Sequence, residues 1–216
     1  MKNILSFLNK LSENNNKVWF DAHKNEYLEA RQSMEDFVRK IINEIAVFEP
    51  KVAGEEAKKC VFRIYRDVRF SKNKNPYKTN MGGFIVPGGK KSGNAGYYIH
   101  IEPGNSFVAG GIYMPESQVL KKMREELFYN MVEFKSIIES AEFKKTFGGI
   151  HGDKLKNPPR GFPKDFKDIE LLKYKSYTVI HPVADELVCN SSFLDYATDV
   201  FKKMKDFNTY INKAIS

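Results

Sequence analysis

The sequence is poor in cysteine, histidine and long apolar runs, and each shortage excludes something. Its two cysteines, Cys60 and Cys189, lie far apart without a CxxC spacing, so no disulfide framework is encoded. Free thiols in a reducing cytoplasm are the expectation. Four scattered histidines and two cysteines supply too few ligands for a structural zinc site, so no metal is expected, and no pattern names a cofactor. No apolar run approaches the roughly 20 residues of a membrane span, so no membrane partner is expected. The apolar N-terminal segment is broken by Ser6, Asn9 and Lys10, which marks an amphipathic helix and not a signal peptide. The run Gly88-Gly89-Lys90-Lys91-Ser92-Gly93-Asn94 lacks phosphate-loop spacing and reads as a hairpin loop.

Acid is scarce in one place above all. Between Lys58 and Lys78 stand Lys58, Lys59, Arg63, Arg66, Arg69, Lys72, Lys74 and Lys78, against the single acid Asp67. That stretch holds seven of the chain's net eight positive charges, so the rest is close to balanced. Something anionic is expected to bind there.

Helical periodicity frames this stretch on both sides. Ile4, Leu8 and Leu11 mark a short helix, which the run Asn14-Asn15-Asn16 ends, with Asn16 as a cap for the next helix. Trp19 and Phe20 then open a long helix as core residues. Tyr27, Ala30, Met34, Phe37, Ile41, Ile45 and Phe48 share one face of it, and Pro50 ends it. Late in the chain, Ser192 and Asp195 open a helix with Ala197, Val200, Phe201, Met204, Phe207 and Ile211 on its core face. Between these, Leu120, Met123 and Leu127 mark a helix, Asn130 with Glu133 forms a capping box for another, and Asp168 caps a short one through Leu172.

Alternation marks the strands. Cys60, Phe62 and Ile64 alternate with Val61, Arg63 and Tyr65, which reads as a first strand with its arginine on the polar face. Gly83 to Val86, Tyr97 to Glu102 and Ser106 to Tyr113 come after it, joined by turns into an antiparallel meander, and Ser176 to Val183 is a later strand. Gly110 and Gly111 suggest a bulge or a close backbone approach to a ligand. The segment from Ile150 to Pro163 is a loop. No repeat or linker interrupts this order, so one α+β domain over residues 1–216 is expected, a central antiparallel meander packed with a long N-terminal helix and C-terminal helices.

Two constellations carry candidate chemistry. Arginine offers a planar fork of donors to phosphate or carboxylate, and lysine adds a point charge. Arg63, Arg66, Arg69, Lys74 and Lys78 would therefore hold an anion, with Tyr65, Ser71 and Tyr77 lining the same loop. Asp67 stays ionised among these cations and serves as a general base or, more simply, as a pin for arginines. On the third strand, Tyr98, His100 and Glu102 share the polar face, and an imidazole beside a carboxylate is an acid–base pair near neutral pH. If that strand neighbours the Arg63 strand, His100 and Glu102 share a pocket with Arg63 and Tyr65. The catalytic candidates are thus His100, Glu102 and Asp67.

Several blocks carry a family resemblance. They are Asn14 to Phe20, Arg63 to Ser71 with Lys74, Pro76, Tyr77 and Lys78, Gly96 to Gly104, Gly110 to Pro115, Pro159 to Pro163 and Leu171 to Lys175. Together they resemble a domain-of-unknown-function family found in bacteria and fungi, nearly end to end. The family has no assigned reaction, so the resemblance implies one full-length domain and carries over no catalytic residue. Three readings stand: a basic pocket for a phosphate- or carboxylate-bearing small molecule, a nucleic-acid-binding module using Tyr65, Phe70 and Tyr77 among the same cations, or a scaffold or interaction domain whose arginines are used up in internal ion pairs.

Overall fold

The computed structural model describes residues 1–216 and contains ten α-helices and four strands. The helices are α1 (Lys2–Glu13), α2 (Lys17–Ala22), α3 (Lys24–Phe48), α4 (Ala57–Cys60), α5 (Ser117–Tyr129), α6 (Met131–Ile138), α7 (Ala141–Phe147), α8 (Ile169–Leu172), α9 (Asp185–Val188) and α10 (Phe193–Ile215). The strands are β1 (Met81–Ile85), β2 (Gly96–Ile101), β3 (Ser106–Ile112) and β4 (Tyr177–Val183), in the spatial order β1-β2-β3-β4. All neighbours are antiparallel, so the expected meander and the α+β class are both present. No helix is long and apolar enough to cross a membrane.

Apolar periodicity decides which faces meet. In α3, Tyr27, Ala30, Met34, Phe37, Val38, Ile41, Ile42 and Ile45 are buried, and in α10 so are Ala197, Val200, Phe201, Met204, Phe207 and Ile211. Both helices lie on the sheet face that carries Tyr97, Ile99 and Ile101. Tyr97 meets Phe201 edge-on at 5.4 Å, and Phe37 of α3 stacks on Phe193 of α10 at 4.9 Å. Two glycines allow the close approach: a Cβ at Gly83 would sit 2.9 Å from Val38, and one at Gly110 2.7 Å from the Met204 sulfur. The glycine pair of β3 therefore admits the protein's own helix and neighbouring strand, not a ligand.

The opposite sheet face carries Tyr98 and His100 and is half-buried. It is this face, with the segment 61–80 at its β1 edge, that positions the candidate site.

Several expectations are corrected. Cys60 to Tyr65 is not a strand. Cys60 ends the short helix α4, and the buried positions are Cys60, Val61 and Ile64, which do not alternate, while Phe62 stays 39% exposed. The segment touches the sheet through Phe62 N–H donating to the Gly82 carbonyl (2.9 Å) and then folds on itself. Lys78 N–H donates to Ile64 (2.8 Å) and Arg66 N–H to Pro76 (2.9 Å). Trp19 and Phe20 belong to a separate short helix that breaks at His23, where the imidazole stacks on Trp19 at 4.0 Å. The Asn16 cap is as expected, its side-chain oxygen accepting from Trp19 N–H. Asn130, Asp168 and Ser192 occupy N-cap positions without a capping side-chain bond. The first reaches back to Glu126, and the Asp168 carboxylate binds Lys135 instead.

Candidate functional site

Folding 61–80 back on itself divides the basic cluster into engaged and free cations. Arg69 grips Asp67 through two side-chain bonds of 2.9 and 2.6 Å, and its own N–H also donates to that carboxylate. These contacts hold the Asp67 carboxyl below its ordinary value, so Asp67 acts as the pin of this loop. Arg66 donates to the Asn75 carbonyl (2.9 Å) and the Ser71 hydroxyl (3.3 Å), and Lys74 to the Val68 carbonyl (3.0 Å). Tyr77 is buried and stacks on Phe20 at 4.0 Å, while Tyr65, half exposed, packs against both rings. Arg63 and Lys78 enter none of the chain's ion pairs, which use Arg69 here and His100 nearby. Lys90 approaches from the loop after β1, its ammonium donating to the Val61 carbonyl (3.1 Å) and lying 4.6 Å from the Phe62 ring centre, with that of Lys78 at 5.5 Å.

Lys78 and the engaged Arg66 are the cations that line a cavity of about 160 Å³ between α1–α2 and this segment, formed by Asn15, Arg66, Asn73, Asn75, Tyr77, Lys78, Thr79 and Asn80. Two of these residues are cations, four are carboxamides, and none is an acid. Asn15 builds the back wall. Its amide donates to the Tyr77 carbonyl (3.0 Å) and its oxygen accepts from Tyr77 N–H (3.1 Å), tying α1–α2 to the loop across 62 residues. Asn15→Ala leaves both buried backbone groups without a partner. It is expected to cost about 1–3 kcal/mol in urea unfolding, with the slope unchanged.

Lys78 is held below its ordinary value by burial first and by Arg63 and Lys90 second. A cation disfavoured by its surroundings is a receptor for negative charge, because an anion beside it removes the penalty.

Next to the cavity runs a chain of polar side chains along β2. Thr79 donates to Glu102 Oε1 (2.9 Å) and thus connects the two. Asn105 donates to Glu102 Oε2 (3.0 Å), and His100 Nε2 lies 3.2 Å from the same oxygen. A carboxylate only accepts, so His100 Nε2 carries the proton and Nδ1 accepts from the Tyr98 hydroxyl at 2.9 Å. Phe107 stacks on the imidazole at 4.4 Å, and Gly82, opposite His100, leaves the space that the Tyr98 ring fills. Burial pushes Tyr98 up to about 12. Burial also lowers His100, with Lys78 acting the same way and Glu102 opposing. Glu102 is raised by burial but lies below its ordinary value on balance, because Asn105, His100 and Thr79 all donate to it. Both nitrogens of His100 are engaged, so the free end of the chain is the Tyr98 oxygen.

These directions fix the sign of the pH dependence. His100 and Glu102 both bind protons less readily folded than unfolded, so their contribution is full above the unfolded values and declines with acidification. Wild type is expected to lose stability from about pH 6.5 downward through His100, with a second loss below 4.5 through Glu102. In His100→Gln the upper limb should flatten, which thermal melts between pH 4 and 8 would read.

The site brings together Lys78, Tyr98, His100 and Glu102, with Arg66 in the cavity wall. The neighbours of β2 are β1 and β3 and not the Arg63 segment, and Tyr65 packs on Phe20 and Tyr77 instead of sharing a pocket with His100. Sequence reasoning missed Asn15, Asn80, Thr79, Lys90 and Phe107. The only signal was the density of asparagine on both sides of the cavity.

A half-buried sheet face with an acid-free polar cavity at its edge defines an α+β protein with a site built from side-chain amides, cations and one His–Glu pair. No cluster of three or more His, Cys, Asp or Glu side chains is gathered in the chain. The chain belongs to the conserved hypothetical protein family DUF2461, whose model matches residues 3–210. No curated protein and no solved structure matches it significantly.

Proposed function

We propose that the chain acts as one domain that binds a small molecule by its phosphate or carboxylate group, in the cavity between Asn15 and residues 66–80. The observation that carries this reading is the composition of the cavity wall: Arg66, Lys78 and four asparagines, with no acid. Amide N–H groups and cations converging without a competing carboxylate favour an anion over any other ligand. The volume of about 160 Å³ accommodates the charged group alone. It is below the roughly 300–1,000 Å³ of pockets that enclose a whole drug-sized ligand. The body of the molecule then extends outward, past Lys78, whose ammonium lies 5.5 Å from the Phe62 ring centre.

Thermal unfolding against sugar phosphates, dicarboxylates, mononucleotides and short oligonucleotides, at low and moderate salt, tests this. A ligand at about 100 times its dissociation constant stabilises by roughly 2.7 kcal/mol. In a chain of this length that raises the midpoint by about 5–10 °C. A small anion whose shift survives added salt supports the reading.

A second reading rests on Phe70, which is 96% exposed beside Arg69. An aromatic presented to solvent next to cations is a stacking platform for single-stranded nucleic acid. A shift from oligonucleotides alone, lost as salt rises, would favour it.

A further inference from the structure

A second groove lies away from this cavity, where α7, β4 and α10 meet, with a volume of about 540 Å³. Its centre is a pair of side chains that the anion site does not use. Alternation along β4 puts His181 on the face of Tyr177, Val179 and Val183, toward α7. The His181 Nδ1 lies 2.8 Å from the Thr146 carbonyl, in the last turn of α7. Carbonyls there have no partner within the helix and seek one outside it. A carbonyl only accepts, so Nδ1 carries the proton and the neutral ring presents its lone pair at Nε2. The Tyr196 hydroxyl, on the first turns of α10, donates to that nitrogen at 2.6 Å. A nucleophile bonded to a base, with the base oriented by a third group, is the arrangement that activates hydroxyls for covalent catalysis.

The groove supplies charge as well. Two acids and two lysines line it: Glu142 is shared with Lys203 at 3.9 Å and Asp199 with Lys202 at 3.5 Å, which leaves Lys145, exposed on the wall, without an ion-pair partner. We propose that this groove is a second, catalytic site in which Tyr196 is the nucleophile and His181 the base, acting on a small anionic carboxylic ester. Tyr196 Oη attacks the acyl carbon while its proton passes to His181 Nε2. The bond from carbon to the alcohol oxygen breaks, and the leaving alkoxide takes that proton. Water then attacks the acyl-tyrosine, giving one proton to His181, which returns it to Tyr196 Oη. The sum is ester plus water to acid plus alcohol. Lys145 draws the negative charge of the substrate to the groove.

The test uses the full chain and 4-(fluorosulfonyl)benzoate, in which sulfur stands for the acyl carbon and fluoride for the alcohol. Peptide mass spectrometry reads the rate of adduct formation at each tyrosine. Tyr196 is half-buried, whereas Tyr113 and Tyr129 are 75% and 78% exposed, so exposure alone makes Tyr196 slower than either. The proposal expects Tyr196 to react at least about tenfold faster than both, because a positioned base adds on the order of a hundredfold. His181→Gln should remove that advantage, and Lys145→Ala should slow this reagent but not the neutral phenylmethanesulfonyl fluoride. Modification of Tyr196 no faster than of Tyr113 and Tyr129 would overturn the proposal, as would an unchanged rate in His181→Gln. Should that variant fail to fold, the comparison among tyrosines within the wild-type molecule still decides.

Discussion

Gly111→Ala is expected to lower the stability of the chain by about 3–5 kcal/mol, the range of the most damaging single substitutions. Two costs combine there. The residue has φ of 107°, a backbone conformation that side chains with a Cβ adopt only under strain. The new Cβ would also overlap the carbonyl oxygen of Tyr177 on β4, which is backbone and cannot swing aside. Either the β3–β4 ladder opens at the Gly111–Thr178 pair, or residue 111 leaves its φ of 107°. The melting midpoint should fall by roughly 10 °C. Two controls separate the costs. Gly110→Ala meets the flexible Met204 side chain and should lose only about 1–2 kcal/mol. Gly161→Ala, with φ of 89° and open space around it, isolates the conformational cost at about 1 kcal/mol. Equal losses in all three would show that the β3–β4 contact is not the source.

Lys78→Ala is expected to weaken binding of the small anion at least about tenfold, which is 1.4 kcal/mol. One charge-assisted bond to an anion is commonly worth about that much or more. The same change should leave the melting midpoint of the free protein nearly unmoved. Burial, Arg63 and Lys90 all disfavour the Lys78 ammonium, so at neutral pH its charge costs the fold something and its removal relieves that cost. The lost packing of its stem on Phe62 acts in the other direction. Lys58→Ala and Lys91→Ala, which remove exposed charges outside the cavity, should leave binding unchanged at moderate salt. Equal losses from all three lysines would mean that diffuse positive charge, and not the cavity, attracts the ligand. Calorimetric titration of each variant reads the difference.

The elements whose side chains repeat with a clear period were legible in the sequence. Tyr97, Ile99 and Ile101 against Tyr98, His100 and Glu102 divide as period two requires, because one face of β2 meets α10 and the other does not. Tyr27 to Ile45 and Ala197 to Ile211 divide with period 3.6 for the same reason. The segment 60–65 misled because its apolar residues also alternate, yet it makes one bond to the sheet and buries Val61 beside Cys60 and Ile64 while Phe62 faces out. A short apolar pattern fixes spacing and not the partner. The cation cluster was visible as composition, but its division was not. Arg66 and Lys74 are held by the backbone carbonyls of Asn75 and Val68, and no side-chain code announces a carbonyl as acceptor. Asn15 belongs to the site because α1–α2 returns across 62 residues to clamp Tyr77, a tertiary contact that local reading registers only as a turn.

The cavity itself is tested most directly by nuclear magnetic resonance on the side-chain amides. Inorganic phosphate would be titrated into the labelled chain at moderate salt while the Asn15, Asn73, Asn75 and Asn80 NH₂ resonances are monitored. Binding in the cavity predicts that the Asn73, Asn75 and Asn80 signals move together and saturate with one dissociation constant. The Asn15 amide, already bonded to the Tyr77 carbonyl, should move least. In Lys78→Ala the same titration should need at least about tenfold more phosphate. Shifts that never saturate, or that spread over exposed lysines while these amides stay still, would contradict an anion site at this place.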